Sequence, residues 1–533
     1  MIKMSLSNIY FAFNKYLKKY AIFILIFLFC LSVRIMAVCQ KDGLYIDEVF
    51  TFICTTPSNI SPEGVILKNS HNSYNFEYGK NYNAREIKKS LFSSGSSPKS
   101  IIKDLQLIKN NNLDRSHTNF YYSLYRIAST GSSGLNYQQL LMRGCILNLL
   151  IFILEFFFMY KLLSLINNDK RFKVYGLLIS LLSISSISNT LFIRDYILME
   201  CFLIGFSYVF LDLLLKNAHL NFKKLFGYSF ITAAFILSGY LSLIYIGIIL
   251  SILLFYSLFK KKYNIIKNIL YIMIIAIGIV CLIYPTFFNF SYKNEIYPEI
   301  MDNLNSILTL RLSIIPVMKT ILSFLLKSVF YWPCIAFIVL FYVFEYLYSN
   351  IFNKQFKQDK KIFLNDKLVI LLVAISVLFI FISITIAHYK FERYIMPAVP
   401  ILSLLLVLFV INLKSKLLRY FLIAIYILIP CINLYKENTD FDYMSTQSTY
   451  TFDKNDKYIF HVGGAFWYYP NYYILLPNDT IIRIEKNIPS SDYDIKAYKL
   501  ITDINIPQYT DKEYLGYCFH IYTINNCFTG HKK

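Results

Sequence analysis

The chain has 533 residues, of which 56% are hydrophobic and only 16% charged, and its mean hydropathy is +0.48. A soluble globular domain carries about 25% charged residues, so composition excludes an ordinary soluble protein and assigns most of the chain to lipid. The net charge of +21 does not point to nucleic acid, because Lys and Arg cluster in short segments between apolar runs and no nucleic-acid motif or basic groove accompanies them.

A hydrocarbon core takes about 20 apolar residues per helix. The first such run is 20–38, preceded by Lys15, Lys18 and Lys19. It is longer than a secretory h-region and no small-residue cleavage site follows it, so it predicts a retained anchor with a cytoplasmic N-terminus. Residues 39–139 follow as a long first outer loop. Further apolar runs lie at 140–162, 174–193, 196–215, 225–239, 241–259, 264–286, 325–348, 368–387, 395–412 and 418–434. With the first they predict about eleven spans. The stretch 225–259 is too long for one span, and Ser238 and Gly239 predict a tight reversal inside it.

Charge supports this count. With the N-terminus inside, every cytoplasmic segment is basic: Lys161, Lys170, Arg171 and Lys173 in one, Lys260, Lys261, Lys262 and Lys267 in another, Lys354 to Lys367 in a third. Adding or dropping one span reverses the bias downstream. Three regions remain outside: 39–139, 287–324 and the tail 435–533. The tail has short strand-like runs at 457–462, 472–476, 480–485, 497–502 and 515–523, broken by Gly, Pro, Asn and Asp. The expected fold is a polytopic all-α membrane bundle, residues 1–434, with a small α/β or β-rich extracytoplasmic domain, residues 435–533. Among the ten Cys, Cys518 and Cys527 in the tail are candidates either for a disulfide or for free thiols; Cys39 and Cys54 are a weaker pair.

Four clusters on the expected outer side carry chemistry. Asp47 and Glu48 sit among apolar and aromatic residues soon after the first span. A carboxylate there can act as general base on an acceptor hydroxyl, although composition alone favours a solvated acidic pair beside the headgroups. Asp114, His117, Tyr121 and Tyr122 close the first loop; the His can hold a phosphate or a carboxylate, and the aromatics also suit an interfacial belt. Arg194, Asp195 and Tyr196 form a triplet between two apolar runs, which also fits an Arg–Asp pair at a helical hairpin. His388, Lys390, Glu392, Arg393 and Tyr394 precede Pro397 and Pro400; the two cations can clamp a phosphate or merely snorkel.

The order of these motifs resembles the GT-C glycosyltransferases, nearest the branch of the protein O-mannosyltransferases and aminoarabinose transferases. That branch has an Asp-Glu pair early in a long outer loop. Its second motif, Asp-x-His-Pro-Pro-Leu-Tyr-Tyr, is matched by Asp114 and by His117 to Tyr122, without the prolines. Its Ala-Arg-x-Tyr-Ser-Leu is matched by Ile193-Arg194-Asp195-Tyr196-Ile197-Leu198, and its Arg-Tyr-x-x-Pro-x-x-Pro by Arg393, Tyr394, Pro397 and Pro400. The layout covers roughly residues 20–434. The resemblance implies an inverting transfer of a sugar from a polyprenyl-phosphate donor to a lipid, glycan or protein acceptor. Asp47 would be the base, with Glu48 supporting it. Arg194, Lys390 and Arg393 would hold the donor phosphate, and Asp114, His117, Tyr121, Tyr122 and Tyr196 would position donor or acceptor. Some members use a divalent metal; no compact ligand cluster here demands one, and no other cofactor is expected. The partners are then the lipid-linked donor, its acceptor and the bilayer, most simply a bacterial cytoplasmic membrane. A transporter or a polymerase of lipid-linked oligosaccharides is the alternative. A transporter should carry ionisable residues mid-span; here they are few, with Glu155 and Glu345 standing out and neither having an evident partner.

Overall fold

The computed structural model describes residues 6–56, 79–110, 117–216, 220–288, 314–329, 366–386, 392–413, 415–435, 451–461, 472–485, 498–502, 512–516 and 519–523, with single residues between 339 and 347. In chain order the elements are α1 (Leu6–Gln40), α2 (Ile46–Cys54), β1 (Asn81–Asn83), α3 (Ala84–Phe92), α4 (Pro98–Asn110), α5 (Phe120–Ala128), α6 (Tyr137–Ile166), α7 (Lys170–Leu181), α8 (Ile184–Leu191) and α9 (Tyr196–Leu215). Then come α10 (Phe222–Ser238), α11 (Ser242–Phe259), α12 (Tyr263–Ile283), α13 (Ile314–Ser328), α14 (Asp366–Ile386), α15 (Val399–Asn412) and α16 (Lys416–Tyr435). Short 3-10 turns, Glu392–Tyr394 and Met396–Ala398, lead into α15.

Among the described residues seven helices are long and apolar enough to cross a membrane: Tyr20–Gln40 within α1, then α6, α9, α11, α12, α14 and α16. The pair α7–α8 adds an eighth if its 54° bend lies within one crossing. The chain is therefore a multi-pass membrane protein built mainly of helices. Of the remaining expected spans, 174–193 is that bent pair, 225–239 is the 17-residue α10, and 395–412 is the shorter apolar helix Met396–Asn412. Most of 325–348 lies outside the described residues. The reversal expected at Ser238 and Gly239 is present: α10 ends at Ser238 and α11 starts at Ser242.

The centre of the bundle is α9. Apart from Glu200 and Asp212 its span is almost wholly apolar, and 89% of it is buried, as expected of a helix surrounded by other helices. It packs on α6 and α10. Gly144 in α6 permits the approach of the segment before α9: a Cβ there would lie 2.6 Å from Ile193 Cγ2. One turn further along α6, Asn148 Nδ2 donates to Thr190 O at 3.0 Å and Phe192 O at 2.9 Å, satisfying carbonyls at the open end of α8. The turn 192–195 is thus anchored to α6 from both sides.

Among the described residues the sheet has six strands in the order β1-β3-β2-β4-β6-β5, where β2 is Lys457–His461, β3 Ile481–Glu485, β4 Tyr498–Thr502, β5 Lys512–Gly516 and β6 Phe519–Thr523. β2 runs parallel to both β3 and β4; the other pairings are antiparallel. Two details differ from the sequence expectation. Residues 472–476 form a helical turn, with Leu475 N and Leu476 N both donating to Tyr472 O, because this apolar run is buried except at half-buried Leu475 and carries no alternation that requires a strand. The edge strand β1 comes from the first loop, with Asn81 opposite Arg483, so residues 39–139 and the tail share one sheet. Tyr498 donates to Asn81 Oδ1 at 3.2 Å across it.

Candidate active site

Asp47 and Glu48 open α2, and neighbours on a helix point in different directions. Glu48 turns inward and is fully buried. Its Oε2 accepts from the Tyr45 amide at 2.7 Å, the returning half of a capping box, and from Lys41 Nζ at 3.1 Å. Its Oε1 accepts from the Ile193 amide at 2.9 Å. Burial pushes the Glu48 carboxyl above the usual carboxylate range, while Lys41 and the two backbone amides pull it back. Glu48 therefore fastens the start of α2 to the turn before α9 and is closed to solvent. Its place in the site is that of a positioning residue.

Asp47 turns the other way and forms an ion pair with Arg393. Their side chains are 25% and 15% exposed, so this pair remains reachable. Burial works against the Arg393 charge, but Tyr196 and Asp47 outweigh it and hold the guanidinium firmly protonated. A second cation approaches the same helix. Arg194 Nη1 donates to Tyr122 Oη at 2.9 Å and to Thr51 Oγ1 at 3.4 Å, and Thr51 donates to the Asp47 carbonyl at 3.1 Å. Thr51 is one turn beyond Asp47, so the two guanidinium groups meet α2 about 5–6 Å apart along its axis.

His117 joins this group from the first loop. Its Nδ1 lies 3.1 Å from Asp195 Oδ2, and its ring meets Tyr196 edge-on with centroids 6.4 Å apart. Tyr196 also stacks on Phe192 at 5.5 Å and touches Tyr394 at 6.4 Å. Thr118 donates to Leu237 O, bringing the α10–α11 reversal alongside. Four segments far apart in sequence thus converge: the start of α2, residues 117–122, the turn before α9 and the turn before α15.

Of the expected site residues, Asp47, Glu48, His117, Tyr121, Tyr122, Arg194, Tyr196 and Arg393 are brought together. Asp114 and Lys390 lie outside the described residues. Tyr121 belongs to the frame, since its hydroxyl donates to Asn148 Oδ1 at 2.8 Å and burial pushes its phenol well above the ordinary range. In the triplet, Asp195 faces His117 and Arg194 faces Tyr122, an arrangement different from a simple Arg–Asp hairpin pair. Sequence reading missed Lys41, Thr51 and Asn148. Thr51 carried a signal, since it shares a helix face with Asp47 at a spacing of four. Cys39 and Cys54 are not joined in a disulfide, and Cys518 and Cys527 lie outside the described residues. Among the described residues no three His, Cys, Asp or Glu side chains gather into a metal-binding group.

Chemically, the site offers a reachable carboxylate paired with one guanidinium, with a second, buried guanidinium one helical turn away and aromatic side chains alongside. That set suits a phosphate-bearing ligand next to a group that must lose a proton. No family model, curated protein or solved structure matches this chain.

Proposed function

We propose that this chain is a membrane glycosyltransferase that moves a sugar from a polyprenyl-phosphate donor to a hydroxyl- or amine-bearing acceptor. The observation that carries the reading is the pairing of Asp47 with Arg393, next to Arg194, where all four motif segments meet. In this mechanism the donor phosphate takes the place of Asp47 on Arg393, with Arg194 adding a second cation. The displaced Asp47 carboxylate then accepts the acceptor's proton. The acceptor oxygen or nitrogen forms a bond to the anomeric carbon as the bond from that carbon to the phosphate oxygen breaks, and polyprenyl phosphate leaves with the electron pair. Cations already in place stabilise the leaving charge without reorganising, and the base is held by a helix that Glu48 fixes in position. His117, Tyr122 and Tyr196 shape the wall beside the reacting groups.

The transporter reading gains one observation: Arg34, Glu155 and Glu200 are ionisable groups buried among the spanning helices. One preparation separates the two. Purified protein in nanodiscs is given a panel of radiolabelled polyprenyl-phosphate sugars and a membrane-glycan extract. Label reaching the acceptor with the wild type and not with Asp47→Asn is the expected result. Absence of transfer from every donor, with lipid-linked oligosaccharide moving across the bilayer, overturns the transferase reading.

A further inference from the structure

The bundle interior holds a second polar cluster, apart from the candidate active site. Arg34 in α1, Glu155 in α6, Glu200 in α9, and Ser186, Asn189 and Thr190 in α8 are each fully buried. Arg34 is held in place: Nη2 donates to Ser186 Oγ at 2.8 Å, Nε to Thr190 Oγ1 at 3.1 Å, and the guanidinium lies 3.7 Å from the Phe152 ring centre. Asn189 donates to Glu200 Oε2. Glu155 and Glu200 interact electrostatically with each other and with Arg34.

Two quantities do not balance within this cluster. The first is charge: two carboxyl groups face one guanidinium, and the other titratable neighbours, Cys30 on α1 and Cys201 on α9, add no positive charge. The second is hydrogen bonding. Both oxygens of Glu155, Oε1 of Glu200 and Oδ1 of Asn189 are buried acceptors without a partner at hydrogen-bond geometry, and the Ser186 hydroxyl, one donor, is the neighbour shared by the two carboxyls. Carboxylate and amide oxygens only accept, so the cluster is short of donors as well as of positive charge. A proton supplies both. On either carboxyl it cancels the excess negative charge and creates an O–H donor aimed at the other, as in carboxyl pairs too close to ionise together.

We propose that Glu155 and Glu200 form a proton-binding site in the membrane interior and hold one proton between them, with Arg34 as counter-ion of the ionised partner. The site is independent of the transferase reading, and its test does not use activity. Infrared spectra of the full chain in nanodiscs are recorded at neutral pH in H2O and D2O. An un-ionised carboxyl in dry surroundings gives a carbonyl band that shifts in D2O, at a pH where solvent-exposed carboxyls are ionised. The wild type is expected to show one such band. Both Glu155→Gln and Glu200→Gln are expected to lose it, because the remaining carboxyl then has Arg34 to itself and ionises. Arg34→Gln is expected to strengthen the band about twofold, since both carboxyls then stay protonated. Size-exclusion profiles establish that each variant is folded, and the Arg34 variant provides the reading if either glutamine variant is not. A wild type without the band overturns the proposal. So does a band that survives one of the glutamine variants, since that proton belongs to a single residue. A band abolished by Na+ assigns the site to a metal cation and also overturns it.

Discussion

Asp47→Asn should move turnover and donor binding in opposite directions. Asparagine keeps the shape of the side chain and removes its charge and basicity. Loss of a general base costs about 10²–10⁴-fold in turnover. Donor binding should improve, because the resting pair with Asp47 means that a donor phosphate displaces one anion to reach Arg393. Both side chains are largely covered, at 25% and 15% exposure, which sets the pair near the top of the range for accessible ion pairs, about 1 kcal/mol. Removing that competitor lowers the donor KM about fivefold. Steady-state transfer in nanodiscs, with donor varied at saturating acceptor, reads both quantities. Turnover near that of the wild type refutes Asp47 as the base. Lost turnover with weakened donor binding refutes the exchange of Asp47 for phosphate on Arg393.

Arg393→Ala removes a charge-assisted contact to the donor and should raise the donor KM about 10–100-fold while acceptor KM stays near its normal value; an unchanged donor KM counts against the phosphate role. Tyr122→Phe deletes the 2.9 Å bond that steadies Arg194, so donor affinity should fall about two- to tenfold with turnover retained, and a collapse of turnover would place the hydroxyl in the chemistry itself. Glu48→Gln puts an amide NH2 where one carboxyl oxygen accepts from a backbone amide or from Lys41, so stability should fall by about 1–3 kcal/mol, read by thermal unfolding in detergent. The same residue sets a pH response. Because the folded state raises the Glu48 carboxyl above its unfolded value, its proton-linked stabilisation is complete at low pH and is lost as pH rises through the raised value. Glu48→Gln should flatten that part of the profile, and an identical profile in the variant excludes Glu48 as its source.

What could be read in advance follows from the range over which each signal acts. A spanning helix declares itself within about 20 residues, so the seven long apolar helices were legible from local composition. The reversal after Ser238 was legible for the same reason. Partners were not, because they are set by packing between helices. Asp47 and Arg393 are 346 positions apart and His117 and Asp195 78, and nothing near either member names the other. The three residues of β1 have no alternation and pair only because the edge of β3 is there to receive them. Glu155 shows the same limit in its sharpest form. Along the chain it is a mid-run charge without a visible partner, as are Arg34 and Glu200 in two other runs. Each alone is an expensive group in lipid. Brought together by α1, α6 and α9 they become a single unit whose excess charge and missing donor are relieved by the same proton. Ionisable residues in spanning segments are therefore best read in sets. The cost of each isolated charge is what makes a buried partner necessary, and the helix packing then determines which residue it is.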